Sequence, residues 1–134
     1  MFKKIALSLM LLAGSMMLTA CGSESPEDVV KQFYSAVEKK DADKAYELLA
    51  IPEKDKQKNE MEIKGKVQMI VGDMARRIEN NGGVESTEVK SADIDESKKR
   101  ATVILTVNFK DGKQKDERFL LTQEDGGDWK IILR

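Results

Sequence analysis

The sequence predicts an α+β fold in which three N-terminal helices pack on an antiparallel sheet of four strands. The strongest indication is the stretch Arg100–Phe109, RATVILTVNF, which is rich in β-branched residues and contains no Gly or Pro. Before this stretch, apolar residues recur with helical spacing, and after it short turn sequences separate further strands. A strand with one wholly apolar face needs strands on both edges and a covering layer, which the preceding helices supply.

The composition is that of one globular domain, and it excludes several classes of function. Of 134 residues, 40% are hydrophobic and 35% charged, which suffices for a single core. The 24 acidic and 23 basic residues are interleaved, and this argues against a nucleic-acid partner, which needs a concentrated basic face. Because the chain has no His and one Cys, we expect no nucleophilic triad, no metal site and no cofactor.

Residues 1–20 have the pattern of a secretory signal peptide. Lys3 and Lys4 form a positive start, and the apolar run at 5–17 is too short to span a bilayer. The following Leu-Thr-Ala-Cys at 18–21 resembles the lipobox of bacterial lipoproteins. This resemblance implies cleavage between Ala20 and Cys21, and a lipid on Cys21 that anchors the protein to a membrane.

The alternative for Cys21 is ordinary signal cleavage that leaves an exported free thiol. Under the lipoprotein interpretation, residues 21–25 are the lipidated Cys and a short tether, so the domain lies close to the lipid. Gly22 is not the Asp that retains enteric lipoproteins at the inner membrane. The rule then points to the periplasmic face of the outer membrane if the cell has one, and otherwise to the outer face of the cell membrane.

The first two helices are predicted from cap signals and apolar spacing. Ser25 is a typical N-cap before Pro26, and an acid follows three residues after the cap. The first helix then ends near Lys40, and Asp41 can cap a shorter second helix that the Ile-Pro pair at 51–52 stops. The apolar stripe of the first helix is Val29, Val30, Phe33, Tyr34 and Val37.

A third helix is predicted up to the Asn-Asn-Gly-Gly sequence at 80–83, with residues 53–60 as its first turns or as a loop into it. We expect its apolar stripe to face the sheet, although a stripe with this composition also suits a partner-binding or membrane-lying helix. The stripe consists of Ile63, Val67, Ile70, Val71, Met74 and Ile78.

The other three strands are predicted on either side of Arg100–Phe109. Val84–Ile94 alternates loosely and is interrupted at 91–93, which indicates an irregular edge strand. The Asp-Gly turn at 110–113 returns the chain through 117–122, and a second turn leads to residues 129–134. In that last strand we expect Trp129, Ile131 and Leu133 on one face.

Residues 25–50 and the closing Gly-Gly-Asp-Trp-Lys-Ile-Ile resemble the opening and the last strand of NTF2-like domains. Together with the lipobox they are similar to the small lipoproteins grouped as DUF4878, with the domain at 26–134. The resemblance implies a curved sheet wrapped round the helices as a cone with an apolar pocket, and often a homodimer formed through the sheet.

Within such a cone, we expect a pocket between the first helix, the third helix and the sheet. Glu117 is in phase with Phe119 and Leu121 and points either into this pocket or into solvent at a strand end. We expect no catalytic residue.

Three hypotheses for the function remain: binding of an apolar small molecule, docking of a periplasmic protein, and a His-free enzyme. The candidate pocket residues, which alternatively just fill the core, are Phe33, Tyr34, Tyr46, Ile70, Met74, Phe119 and Trp129.

Overall fold

The computed structural model describes residues 24–123 and 127–133, and it has the predicted order of three helices followed by four strands. The strands form one antiparallel sheet in the order β1-β2-β3-β4. The predicted α+β class is therefore confirmed. The elements are α1 (Pro26–Glu38), α2 (Ala42–Glu47), α3 (Glu53–Asn80), β1 (Val84–Ile94), β2 (Arg100–Phe109), β3 (Gln114–Gln123) and β4 (Trp129–Ile132).

The first two helices meet in a tight corner, as their cap residues predict. The Ser25 hydroxyl accepts a hydrogen bond from the Asp28 backbone N–H at 3.2 Å, which starts α1. Lys40 has a positive φ of 58° between the helices, and it reverses the chain. The Asp41 carboxylate then accepts from the Lys44 N–H at 3.1 Å and starts α2.

Helix α3 begins directly after Pro52, so residues 53–60 are helical, with a distortion at Asn59. Its buried line is Val67, Val71, Ala75 and Ile78, which repeat at spacings of four, four and three residues. Ile70 lies at the margin of the predicted stripe and is 38% exposed, so its assignment to the covered face is wrong. The contact of α3 with the rest of the domain is narrower than its apolar stripe.

The inner face of β2 forms the centre of the core. Val103, Leu105 and Val107 have no exposed surface, and they alternate with half-buried residues on the outer face. Val30, Phe33 and Val37 of α1 belong to the same buried cluster. The helices therefore cover one face of the sheet and leave the other open.

The two edges of the sheet are protected in different ways. Strand β1 runs through residues 91–93 without the predicted interruption, but its register with β2 shifts twice, between Val84 and Ser86 and between Val89 and Ser91. Strand β4 bonds on its free side to the chain after α2, through the Ile131 N–H to the Leu48 oxygen and the Ala50 N–H to the Ile131 oxygen, both 2.8 Å. Leu133 lies beyond the end of β4 and is 40% exposed, so it does not share the buried face of Trp129 and Ile131 as predicted.

In the described part of the chain, no helix is both long and apolar enough to cross a membrane. The signal-peptide and lipidation predictions at residues 1–20 and at Cys21 lie outside the described residues.

Candidate functional site

A cleft of about 360 Å³ opens at the end of the domain where the β2-β3 hairpin meets the C-terminus of α3. We call it the hairpin cleft. Its floor is the inner face of the sheet, and α1 and α3 form its walls. The residues that line it are Tyr34, Met74, Arg77, Ile78, Asn80, Asn81, Phe109, Lys115 and Glu117.

Two charged residues lie on the inner face of β3, where the alternation of the strand places Phe119 and Leu121 in the core. These are Lys115 and Glu117, whose partners in β2 are Val107 and Leu105. The Lys115 Nζ is 3.6 Å from a Glu117 carboxylate oxygen. Their side chains are 57% and 26% exposed, so the pair forms a partly solvated polar patch at the end of the core.

Tyr34 brings a hydroxyl to the same place from α1. The side chain is buried, at 3% exposure, and it lines the cleft. Burial first of all, and then the negative charges of Glu117 and Glu38, raise the pKa of this hydroxyl from 10.0 to about 12, against the opposing effect of Arg77. Tyr34 is therefore a neutral hydrogen-bonding group at physiological pH.

The α3 wall combines apolar and charged side chains. Met74 and Ile78 face the cleft, and the Arg77 guanidinium is 3.3 Å from a carboxylate oxygen of Asp73. The other oxygen of Asp73 forms an ion pair with Arg76. One carboxylate thus serves two arginines, only one of which lines the cleft.

The mouth of the cleft is held by backbone hydrogen bonds between α3 and the hairpin. The Lys110 N–H donates to the Gly83 oxygen at 2.9 Å, and the Asp111 N–H donates to the Asn81 oxygen at 3.2 Å. Gly82 and Gly83 have φ values of +85° and +98°, which allow the chain to leave α3 and enter β1 within three residues. These bonds fix Asn80 and Asn81 beside the hairpin.

Of the seven predicted pocket residues, the structure brings two into the hairpin cleft, Tyr34 and Met74. Phe33 and Phe119 instead contact each other inside the core, edge to face with centroids 6.1 Å apart. Trp129 is buried as well, and it borders a separate shallow depression that includes Ile94 and Gln123.

Tyr46 and Ile70 lie elsewhere. The Tyr46 hydroxyl is buried without a hydrogen-bond partner in the described structure, and the Lys64 Nζ lies 5.2 Å from its ring centroid. Ile70 borders a shallow groove of about 230 Å³ together with Ile63 and Leu133. The predicted pocket is thus divided among the core and three surface depressions.

The structure adds cleft residues that the sequence did not single out. Lys115 was detectable, because it shares the phase of Glu117, Phe119 and Leu121 along β3. Arg77 was not, since the helical spacing places it outside the apolar stripe. No group of three or more His, Cys, Asp or Glu side chains that would hold a metal ion occurs among residues 24–123 and 127–133.

Comparisons with known proteins agree with this architecture. The family model described as Domain of unknown function (DUF4878) matches residues 19–132. A solved structure from Campylobacter jejuni, provisionally described as an NTF2-like transpeptidase, superposes with a TM-score of 0.69 at 19% identity, covering 83% of this chain and 100% of the other. The fold is therefore NTF2-like. Among curated proteins, no match was found.

Proposed function

The chain belongs to the family described as Domain of unknown function (DUF4878), and from this premise we propose that its domain binds a small molecule with an apolar body and catalyses no reaction on it. The observation that carries the proposal is the hairpin cleft. Its volume of about 360 Å³ lies within the roughly 300 to 1,000 Å³ of ligand pockets. Its walls combine apolar surface with a few converging polar groups, as such pockets do.

The apolar part of the cleft comes from three elements. Phe109 ends β2, Met74 and Ile78 come from α3, and the ring of Tyr34 comes from α1. A methionine side chain adapts to the shape of a ligand because it is unbranched and polarisable. Since α3 and the hairpin are tied by backbone hydrogen bonds, the cleft is formed before a ligand arrives.

The proposal that no reaction occurs rests on the side chains present. The chain contains no His, and its one Cys, Cys21, precedes the domain. With a pKa of about 12, Tyr34 is a hydrogen-bond donor and a poor nucleophile at neutral pH. The Campylobacter jejuni protein is described as a transpeptidase, but at 19% identity the likeness extends to the fold alone.

We also propose that lipidated Cys21 anchors this domain to a membrane. The support is the lipobox at 18–21 and a tether from Gly22 to Ser25 of about 14 Å, at roughly 3.5 Å per residue. One acyl chain binds a bilayer only marginally, whereas two or more give a stable anchor. The binding site would then work on the outside of the cell membrane or in the periplasm, at the outer membrane where one exists.

Docking of a protein partner is the second candidate function, and the outer face of the sheet supports it. Leu120 and Ile132 are directly paired there across β3 and β4, and Ile104 lies on the same face of β2. The other end of this face is polar, because Asp116 accepts hydrogen bonds from Lys90 and Thr106, both at 2.8 Å. The apolar end would suit a homodimer formed through the sheet.

To test ligand binding, the protein expressed from the full chain is purified and the small molecules that accompany it are identified by mass spectrometry. We expect an apolar molecule that is lost from the Met74→Trp variant, because the indole fills the cleft. The matched control is Met61→Trp on the same helix, where the side chain is 89% exposed and the variant should keep the molecule. No enriched molecule, or equal amounts in both variants, would contradict the proposal and favour docking.

A further inference from the structure

We propose that the ligand of the hairpin cleft carries an anionic head group, such as a carboxylate, on its apolar body. This inference rests on the proposed binding function and adds the chemical class of the ligand. Its basis is a surplus of hydrogen-bond donors and positive charge among the residues that line the cleft, beside the apolar surface of Met74, Ile78 and Phe109.

Arg77 is the first of these donors, and its charge is incompletely balanced. Its nearest carboxylate is that of Asp73, at 3.3 Å, and the same carboxylate is paired with Arg76. A guanidinium has five N–H donors, and one carboxylate oxygen can accept hydrogen bonds from only a few of them. The other donors of Arg77 remain available to a ligand. A ligand carboxylate can therefore be bound by Arg77 while Asp73 remains paired with Arg76.

Lys115 is the second cation, and its pairing is loose. Its Nζ is 3.6 Å from Glu117, a distance beyond that of a direct hydrogen bond. The Tyr34 hydroxyl and the Asn80 amide add two neutral donors to the lining. Against these four groups, Glu117 is the one carboxylate among the described lining residues.

Glu117 limits the affinity for an anion. The Tyr34 hydroxyl lies within electrostatic reach of Glu117, Glu38 and Arg77. Of these three charged residues, Glu117 and Arg77 line the cleft. A bound anion is attracted by Arg77 and Lys115 and repelled by Glu117. Removing this one negative charge should therefore strengthen binding, whereas removing either positive charge should weaken it.

The test uses three probes with the same body and different heads: phenylbutyrate, phenylbutanol and phenylbutylamine. Binding of each to the protein expressed from the full chain is measured by calorimetry at neutral pH. We expect phenylbutyrate to bind about tenfold more tightly than phenylbutanol, because a hydrogen-bonded ion pair replaces a neutral contact. Phenylbutylamine should bind most weakly.

Variants then locate the effect. Arg77→Gln should abolish the preference for phenylbutyrate over phenylbutanol, and Glu117→Gln should increase it. The matched control is Arg118→Gln, because Arg118 is an exposed arginine on the outer face of β3 that does not line the cleft, and this variant should keep the wild-type preference.

The outcomes separate the two proposals. Equal binding of all three probes, or an Arg118→Gln effect as large as that of Arg77→Gln, would overturn the anionic head group while leaving an apolar binding site. If no probe binds and no apolar molecule accompanies the purified protein, the binding function itself fails.

Discussion

Glu117 and Lys115 mark the place on β3 where the inner face changes from buried apolar residues to charged residues that line the cleft. Both follow the alternation that buries Phe119 and Leu121, yet they lie beyond the part of β3 that is covered by Phe33 of α1. Tyr34, the next residue of α1, is buried while its hydroxyl lines the cleft beside them. The boundary between the core and the cleft thus lies between Phe119 and Glu117 on β3, and between Phe33 and Tyr34 on α1.

The raised pKa of Tyr34 predicts a specific dependence of stability on pH. Because the folded-state pKa of about 12 exceeds the ordinary value of 10.0, Tyr34 stabilises the fold below pH 10 and loses this contribution as the pH rises to 12. Tyr34→Phe removes the titration. We therefore expect the free energy of unfolding of the wild type to fall more steeply than that of the variant between pH 10 and 12, as measured by urea denaturation.

The two proteins differ only at Tyr34, so the difference between the two curves isolates this hydroxyl. Parallel curves would show that this hydroxyl is solvated in the folded protein as it is in the unfolded chain.

The exposed side of helix α3 carries residues that contribute little to its stability. Gly65 and Gly72 lie in its interior, and no neighbouring atom is within 4 Å of the position of an added Cβ at either residue. Met61 and Met69 lie on the same helix and are 89% and 75% exposed. The helix therefore depends on the buried line of Val67, Val71 and its neighbours more than on intrinsic propensity.

Replacing either glycine with alanine should stabilise the protein. Gly65→Ala and Gly72→Ala should each raise the free energy of unfolding by about 0.5 to 1 kcal/mol, because alanine loses less backbone entropy in a helix. The control is Gly82→Ala at the end of α3, where φ is +85° and a side chain is strained. That variant should lose about 1 kcal/mol of the free energy of unfolding.

Thermal or urea unfolding of the three variants measures whether each change raises or lowers the free energy of unfolding. A loss of stability in Gly65→Ala would mean that this face of the helix is covered in the native protein.

At the scale of the whole molecule, the structure relates the cleft to the proposed anchor. The C-terminal end of α1 lies at the cleft end of the domain, since the Lys40 ammonium contacts the Glu79 carboxylate at the end of α3 at 2.8 Å. Thirteen residues of helix extend about 20 Å, so the start of α1 lies toward the opposite end. Under the anchoring proposal, the tether from Cys21 would therefore join the domain toward the end opposite the cleft.

The anchoring proposal predicts that Cys21→Ser releases the protein from membranes. The physical reason is that acyl chains on Cys21 would supply the apolar surface that holds the protein in the bilayer. Fractionation of cells and detergent partitioning measure the release, and mass spectrometry of the N-terminal peptide detects the acyl groups. Gly22→Ser serves as a control that keeps the cysteine and should stay membrane-bound. An unmodified Cys21 in the membrane fraction would refute the proposal.

The sequence by itself determined the type and order of the elements, the inner face of β2 and the phase of Glu117. These features follow from local rules: side chains alternate along a strand, apolar residues recur along a helix, and caps and Asp-Gly turns act over a few residues. The candidate site was predicted only in part, since Tyr34 and Met74 reached the cleft while Phe33 and Phe119 met in the core.

Only the tertiary structure decided which apolar residues pack and which remain open to a ligand. The helical period predicts a stripe, but the width of the contact depends on how α3 crosses the sheet, and this leaves Ile70 exposed and buries Ala75. Likewise, Arg77 becomes a cleft residue because the hairpin bonds to the end of α3, through contacts between segments about 30 residues apart. Such long-range contacts depend on the packing of all elements together, and no local pattern in the chain encodes them.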